Sequence, residues 1–450
     1  MKIPVISPDI NNQIILNNLN NKELIFIILN EIKATDSKGR YLHWDKIRHL
    51  KPPEGLTSEQ WWTGIKLHRR NLSKTLPLKD KHGELFKFCT IDAIQEDLHW
   101  LDMDTAGTIS IEKPITNPSM RSTYLIKSLV EEAINSSQLE GASTTRNAAK
   151  EMIRQGREPR DRSEQMILNN YHAMQFIREY KDETLTPSIL FELHRILTEN
   201  TLDAPHKAGV LRSNEDDIYV VDLNSSNILH KPPDASQLET RIETLCNFAN
   251  GTSASGFIHP VIRSIILHFM LAYDHPFVDG NGRTARALFY WSMINQGYWL
   301  IEFISISRII KMAPVQYGKA FLHTETDDND ITYFIIHQLE VIKKAITDLH
   351  LYLDKKTKGI EYAQKTLCDV KNLGKRLNFR QLALLRHALK HPRFLYKINE
   401  HQHSHGISYE TARKDLLQMS DELKLLSKLK DGRAFVFLSP SDLEERIKSY

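Results

Sequence analysis

The sequence predicts a mainly α-helical protein: a helical bundle interrupted by one small β-hairpin, then a C-terminal winged helix-turn-helix. Three observations carry this. Apolar residues recur at helical spacing through most of residues 118–350. One β-branched and aromatic run, Ile218-Tyr219-Val220-Val221, breaks that pattern and reads as a short strand. After residue 376 the order becomes helix, helix, helix and hairpin.

In chain order, residues 1–115 form an opening section of globular composition, bearing Trp44, Trp61, Trp62 and Trp100, with no legible role. Residues 118–350 form the bundle. Leu125, Leu129 and Ala133 make an amphipathic stripe, and Ile167, Tyr171, Met174 and Ile177 repeat it. Thr186-Pro187 is an N-cap followed by Pro at the first helical position, with Ile189, Leu193 and Ile196 as the stripe behind it. Leu238, Ile242, Leu245 and Phe248 mark another helix, which Gly251 stops. His259-Pro260 opens a further one through Ile262, Ile266 and Phe269. Residues 351–375, rich in Lys, read as a helical linker. Residues 376–440 read as helices Phe379–Leu389, Phe394–His401 and Ser408–Met419, then a hairpin around Asp431-Gly432.

Composition narrows the function classes. Lys and Arg number 59 against 56 Asp and Glu, a net charge of +3, which argues against binding polyanions over the whole surface and leaves a local basic face open. Cys89, Cys246 and Cys368 stand alone in sequence, so neither a disulfide framework nor a zinc site is suggested. The opening MKIPVISPDI lacks a signal-peptide layout, and apolar runs such as Leu24–Leu29 are too short to span a bilayer. The expectation is a reduced, soluble, cytoplasmic protein without a membrane partner.

Chemistry concentrates in His275-Pro276-Phe277-Val278-Asp279-Gly280-Asn281-Gly282-Arg283-Thr284-Ala285-Arg286. This loop joins an apolar helix to another, and a loop ending at a helix N-terminus offers free backbone N–H groups and a positive dipole end. Gly280 and Gly282 let a phosphate approach those groups. Arg283 and Arg286 share a helix face and suit phosphate oxygens. Asp279 offers a hard oxygen ligand for Mg²⁺. His275, with an ordinary pKa of about 6.5, suits a general base near neutral pH. Singly, each residue reads as part of a turn with surface arginines; jointly they read as a site for ATP with Mg²⁺. Neither a GxxxxGK[ST] loop nor the protein-kinase signature set occurs.

Residues 275–286 match every defined position of HxFx(D/E)GNGRxxR, and the chain here resembles the Fic family. His259-Pro260 and His268-Phe269 match the helix before the loop, Ala208-Gly209-Val210-Leu211-Arg212 through Val220 resembles the family's flap, and His230-Lys231-Pro232-Pro233 the segment after it. The resemblance implies a Fic-type helical bundle with a β-hairpin flap, and a protein adenylyltransferase that moves AMP from ATP to a Ser, Thr or Tyr hydroxyl of a target protein or of itself. It implies that His275 deprotonates the hydroxyl, that Asp279 holds Mg²⁺, that Gly280, Asn281 and Gly282 form an anion hole with the Asn281 side chain on the α-phosphate, that Arg283 and Arg286 grip the β/γ end, and that the flap clamps the target main chain. Doc-type kinases carry Lys at the position of Gly282, so AMP transfer is favoured over kinase chemistry. Ser136, Glu140 and Gly141 fit the family's inhibitory motif (S/T)xxxE(G/N) at the end of an N-terminal inhibitory helix over about 120–141, which implies autoinhibition by Glu140.

Weaker features remain. His268 reads as a structural histidine on the face of His275. The run His401-Gln402-His403-Ser404-His405 has no Cys or carboxylate spaced for a metal. Arg413 and Lys414 on the third C-terminal helix suit DNA, but Glu410 and Asp415 dilute them, so both DNA and protein stay open as partners of that domain. De-AMPylation, nucleotide-sensing transcriptional regulation and a homodimer also stay open.

Overall fold

The computed structural model describes residues 1–8, 26–28, 30–106, 118–222, 227–253, 256–368, 376–431 and 434–449. The chain divides into two compact units, Met1–Leu349 and His350–Tyr450.

The first unit opens with α1 (Trp44–Ile47) and α2 (Ser58–Leu72). Thr57 starts α2 through a reciprocal capping box with Gln60. Three of the tryptophans legible in the sequence, Trp44, Trp61 and Trp62, bury with Ile32, Ile47 and Ile65 in a local core. A hairpin that sequence patterning did not indicate follows, β1 (Ser73–Lys79) paired antiparallel with β2 (Leu85–Cys89), and then α3 (Asp92–Leu101).

Helix α4 (Pro118–Leu139) buries Val130, Ala133 and Ile134 against Met152 of α5 (Arg146–Gln155) and Ile167 of α6 (Arg162–Glu179). It ends in a Schellman-type turn: Gly141 takes φ +92° and the Ala142 N–H donates to Ser137 O at 3.0 Å. That turn sets Glu140 at the helix exit. Helix α7 (Pro187–Thr198) starts where expected, with Thr186 Oγ1 accepting from the Ile189 N–H.

The flap strands are β3 (Val220–Val221) and β4 (Ile228–His230), antiparallel. Ile218 and Tyr219, read as strand from their β-branched and aromatic character, precede the paired residues. Helix α8 (Leu238–Ala249) is closed by Gly251 at φ +72°. Helices α9 (Pro260–Asp274) and α10 (Asn281–Asn295) are buried on nearly all sides, with Ile265, Phe269, Leu288 and Phe289 fully enclosed. Helices enclosed on nearly all sides lie at the centre of a bundle, so the loop joining these two is anchored at both ends in the core. Helices α11 (Ile306–Met312), α12 (Pro314–Glu325) and α13 (Thr332–Cys368) follow, and α13 runs past the unit boundary.

The second unit contains α14 (Phe379–Lys390), β5 (Leu395–Lys397), α15 (Ile398–His405), α16 (Tyr409–Leu417), β6 (Ser427–Asp431), β7 (Ala434–Leu438) and α17 (Leu443–Lys448). Its sheet runs β5-β7-β6, antiparallel throughout. The helix expected over Phe394–His401 begins only at Ile398, because Leu395, Tyr396 and Lys397 pair with Leu438, Phe437 and Val436 of β7. Asp431 faces Ala434 across the hairpin; Gly432 and Arg433 lie outside the described residues. Leu385, Leu416, Leu425 and Phe437 share its core.

The histidine run forms no group of three His, Cys, Asp or Glu side chains that could hold a metal among the described residues, though one of its histidines finds a distant carboxylate. His401 does meet a carboxylate, since its Nε2 lies 3.2 Å from Asp415 Oδ2. Asp415 also accepts from Arg380 Nε and Asn378 Nδ2, each at 2.7 Å. It is buried, so this acidic residue of α16 braces α14 and α15 instead of facing outward. The side chain of His403 lies outside the described residues.

Candidate active site

Helix α9 ends where His275 turns left-handed, at φ 45° and ψ 56°. Few non-glycine residues adopt this conformation, and it costs on the order of 1 kcal/mol or more, so the surroundings must enforce it. They do. The His275 N–H donates to Leu271 O at 3.1 Å, and its carbonyl accepts from Arg212 Nε at 2.8 Å. The imidazole Nδ1 lies 3.2 Å from Ala272 O. A carbonyl can only accept, so Nδ1 carries the proton and Nε2 keeps its lone pair. Burial pushes the pKa of His275 down to about 4, with the Ala272 carbonyl opposing and His230 adding to the shift.

The rest of the loop closes on itself. Asn281 Oδ1 accepts from the Phe277 N–H at 3.0 Å, and Nδ2 donates to Phe277 O at 2.8 Å. Its side chain, assigned to the α-phosphate by resemblance, is therefore engaged within the loop. Asp279 Oδ1 accepts from the Gly280 N–H at 2.6 Å. Gly280 needs to be glycine twice over: φ is +80°, and a Cβ would stand 2.7 Å from Thr198 Cγ2. No side chain among the described residues caps α10, which leaves its first N–H groups facing the site as a bare helix N-terminus.

That end is covered by Glu140. A Cβ on Gly282 would collide with Glu140 Oε1 and approach Arg286 Nη1 at 3.1 Å. Arg286 Nη2 donates to Glu140 Oε1 at 2.8 Å and to Ser136 O at 3.1 Å, while Nε donates to Ser136 Oγ at 2.9 Å. Ser136 and Glu140, four residues apart, thus address one guanidinium. The two arginines expected to work side by side part company. Arg283, fully buried, donates from Nη1 to Leu197 O at 3.0 Å, and its Nη2 lies 3.5 Å from Asp279 Oδ2. Asp279 is the half-exposed carboxylate of the loop, with a side chain 45% exposed. Its Oδ2 retains lone pairs toward solvent, and Mg²⁺ commonly takes one or two protein carboxylates with phosphate and water oxygens. The residue fits that ion.

His194 had no signal in the sequence, while Arg212 and His230 showed there only as parts of the flap resemblance and His268 as a structural histidine. His194, on α7, accepts at Nδ1 from the Gly209 N–H and donates from Nε2 to Asp279 O, both at 2.9 Å. Its ring stacks on Phe277 with centroids 3.7 Å apart. Burial pushes its pKa down to about 4. Arg212 also donates from Nη2 to Pro233 O at 2.5 Å and from its backbone N–H to Pro276 O at 2.9 Å. His230 donates from Nε2 to Tyr273 O at 2.7 Å, with Glu325 Oε2 2.8 Å from Nδ1. His268 is buried, its Nε2 2.8 Å from Tyr317 Oη.

The structure is a helical bundle whose central loop sets a histidine beside a helix N-terminus without a side-chain cap, a geometry suited to an anion. Residues 184–293 match the model of the Fic/DOC family, so the chain carries a Fic/DOC domain over that stretch. A Fic family protein from Desulfovibrio desulfuricans shares the fold, at a TM-score of 0.50 and 17% identity over 78% of this chain and 97% of that one. The chain is 30% identical over 118 residues to a protein adenylyltransferase Fic of Nematostella vectensis, covering 26% of this chain and 25% of that protein. It is 32% identical over 134 residues to the protein of the same name in Drosophila melanogaster, covering 29% and 25%. The chain thus spans about a quarter of the length of these curated relatives.

Proposed function

We infer that the chain is a protein adenylyltransferase, moving AMP from ATP to a hydroxyl of a target protein, and that Glu140 holds it inhibited. The observation that carries this is the meeting of His275 with the uncapped N-terminus of α10, where Glu140 already sits as an anion against Gly282 and Arg286.

His275 Nε2 accepts the proton of the target hydroxyl. The hydroxyl oxygen forms a bond to the α-phosphorus as the bond from that phosphorus to the bridging oxygen breaks, and diphosphate leaves with the electron pair. The N–H groups opening α10 stabilise the charge that develops on the α-phosphate oxygens. Asp279 would hold Mg²⁺, which when bound neutralises phosphate charge. Glu140 blocks this by occupying Arg286, which would otherwise take the far end of the triphosphate. The paired strands β3 and β4, with Val221 and Ile228 exposed, support a flap that receives an extended target segment by strand addition. The element order of the second unit supports a winged-helix form. Arg413 on α16 pairs with Glu410 at 3.2 Å, which favours a protein contact over a DNA groove for that helix.

The test is labelling of cell lysate with α-³²P-ATP by the Glu140→Gly protein. Labelled protein bands that vanish in the Glu140→Gly, His275→Ala double variant are expected. Label appearing equally from γ-³²P-ATP would point to phosphoryl transfer and overturn the reading.

A further inference from the structure

A third guanidinium approaches Asp279. Arg162 is the first residue of α6, and its side chain is 55% exposed. Its Nη2 lies 3.8 Å from Asp279 Oδ2, the same oxygen that Arg283 Nη2 approaches at 3.5 Å. Its Nη1 lies 3.3 Å from Asp203 Oδ1. All three separations exceed the roughly 2.7–2.9 Å of a charge-assisted N–H···O bond. Two cations converge on one carboxylate oxygen without saturating it.

Beside Arg162 opens a cavity of about 290 Å³, bordered by Arg160, Gln165, Asn200 and Thr201. That is far more than the roughly 10–15 Å³ a single water needs, and leaves room for a small polyanion. Asp161, at its edge, already accepts from the Glu164 N–H as the cap of α6. Asp203 is 96% exposed and can be exchanged for another anion at little cost. The other two arginines are committed: Arg283 is buried against Leu197 O, and Arg286 is held by Ser136 and Glu140. Arg162 is the one of the three with the exposure to follow a departing group.

We propose that this cavity is a seat for the diphosphate leaving group, anchored by Arg162, which trades Asp203 for the outgoing anion. The proposal rests on the AMP-transfer reading above. Diphosphate departs from the phosphorus held at α10; Asp279 directly precedes the N-cap Gly280 of that helix and lies 3.8 Å from Arg162, which lines the cavity, so a group released there comes within reach of Arg162.

The experiment is calorimetry on the full chain carrying Glu140→Gly, in Mg²⁺, with two probes, AMP and inorganic diphosphate. Adding Arg162→Ala should weaken diphosphate binding about tenfold, the scale of one lost charged contact, and leave AMP binding unchanged. Arg162→Lys should recover part of the loss. In steady-state transfer, diphosphate should become a correspondingly poorer product inhibitor. Unchanged diphosphate affinity in Arg162→Ala overturns the seat alone, as does an equal loss for AMP, which would mark a general effect on the site. A parent protein that binds neither probe overturns the AMP-transfer reading and the seat together.

Discussion

The loop that carries His275 and the helix end that carries Glu140 meet at Gly282, yet they are held in opposite ways. The loop is tied from within by both side-chain groups of Asn281 and from without by His194 and Arg212, on separate segments. Each of those side chains is buried. Glu140 reaches the site through one ion pair, and its side chain remains 30% exposed. Under the proposed function, the catalytic loop is over-determined, while inhibition rests on one carboxylate at a helix exit. A rigid site with a removable block can be switched without being rebuilt.

The comparison breaks most sharply at His275. In the Glu140→Gly background, His275→Ala should lower AMP transfer by about 10²–10⁴-fold, the usual cost of a general base. ATP binding, measured by calorimetry, should persist, because the proposed phosphate contacts belong to α10 and the arginines. A variant that transfers at the parent rate would remove His275 from the chemistry.

The opposite test acts on the block. Glu140→Gly should raise transfer and self-modification on the order of 10²-fold, since a displacement of about 1 Å in a reacting group can cost that much. The double change Glu140→Gly with Arg286→Ala should stay slow, because the contact that was released is gone. Rates of wild type, single and double variants at saturating Mg²⁺-ATP decide it. Equal rates for wild type and Glu140→Gly would strip Glu140 of its role. A double variant as fast as the single would show that Arg286 is not the group restrained.

How much of this was legible follows the same division. His275, Asp279, Gly280, Gly282 and Arg286 lie in one short segment, and Ser136, Glu140 and Gly141 in another, so local spacing exposed them. Thr186 and His259 announced their helices by capping. His194 gave no such sign and Arg212 showed only as part of the flap, not as a brace of the loop, because their partners lie 85 and 63 residues away. A histidine on an apolar helix stripe looks the same whether it braces a loop or merely fills space. Asn281 had the right identity, but in this state its side chain braces Phe277. Leu395–Lys397 looked helical because the strand that claims it, β7, comes some forty residues later.

The least disruptive test concerns His194 and pH. Its two bonds fix the tautomer, with Nδ1 accepting from Gly209 and Nε2 donating to Asp279 O. Protonation would turn Nδ1 into a donor facing another donor, so the loop tolerates only the neutral ring. Burial holds the pKa of both His194 and His275 near 4, against about 6.5 in an unfolded chain. Between those values the unfolded chain binds more protons than the folded one. Stability is therefore whole above about pH 6.5 and falls as pH drops toward 4. Thermal melts from pH 7 to pH 5 should show a steady loss of Tm. In His194→Gln, which keeps an amide donor and acceptor but cannot titrate, the slope should be shallower, even though Tm at pH 7 is lower and transfer about tenfold slower from a loosened loop. The acid limb of kcat/KM should lie near pH 4–5 in the parent, since His275 must be neutral to accept a proton. The limb of kcat should lie higher, because a bound triphosphate favours the imidazolium. Identical Tm slopes for parent and His194→Gln would show that His194 tolerates charge, and the loop would then be less firmly determined than its hydrogen bonds imply.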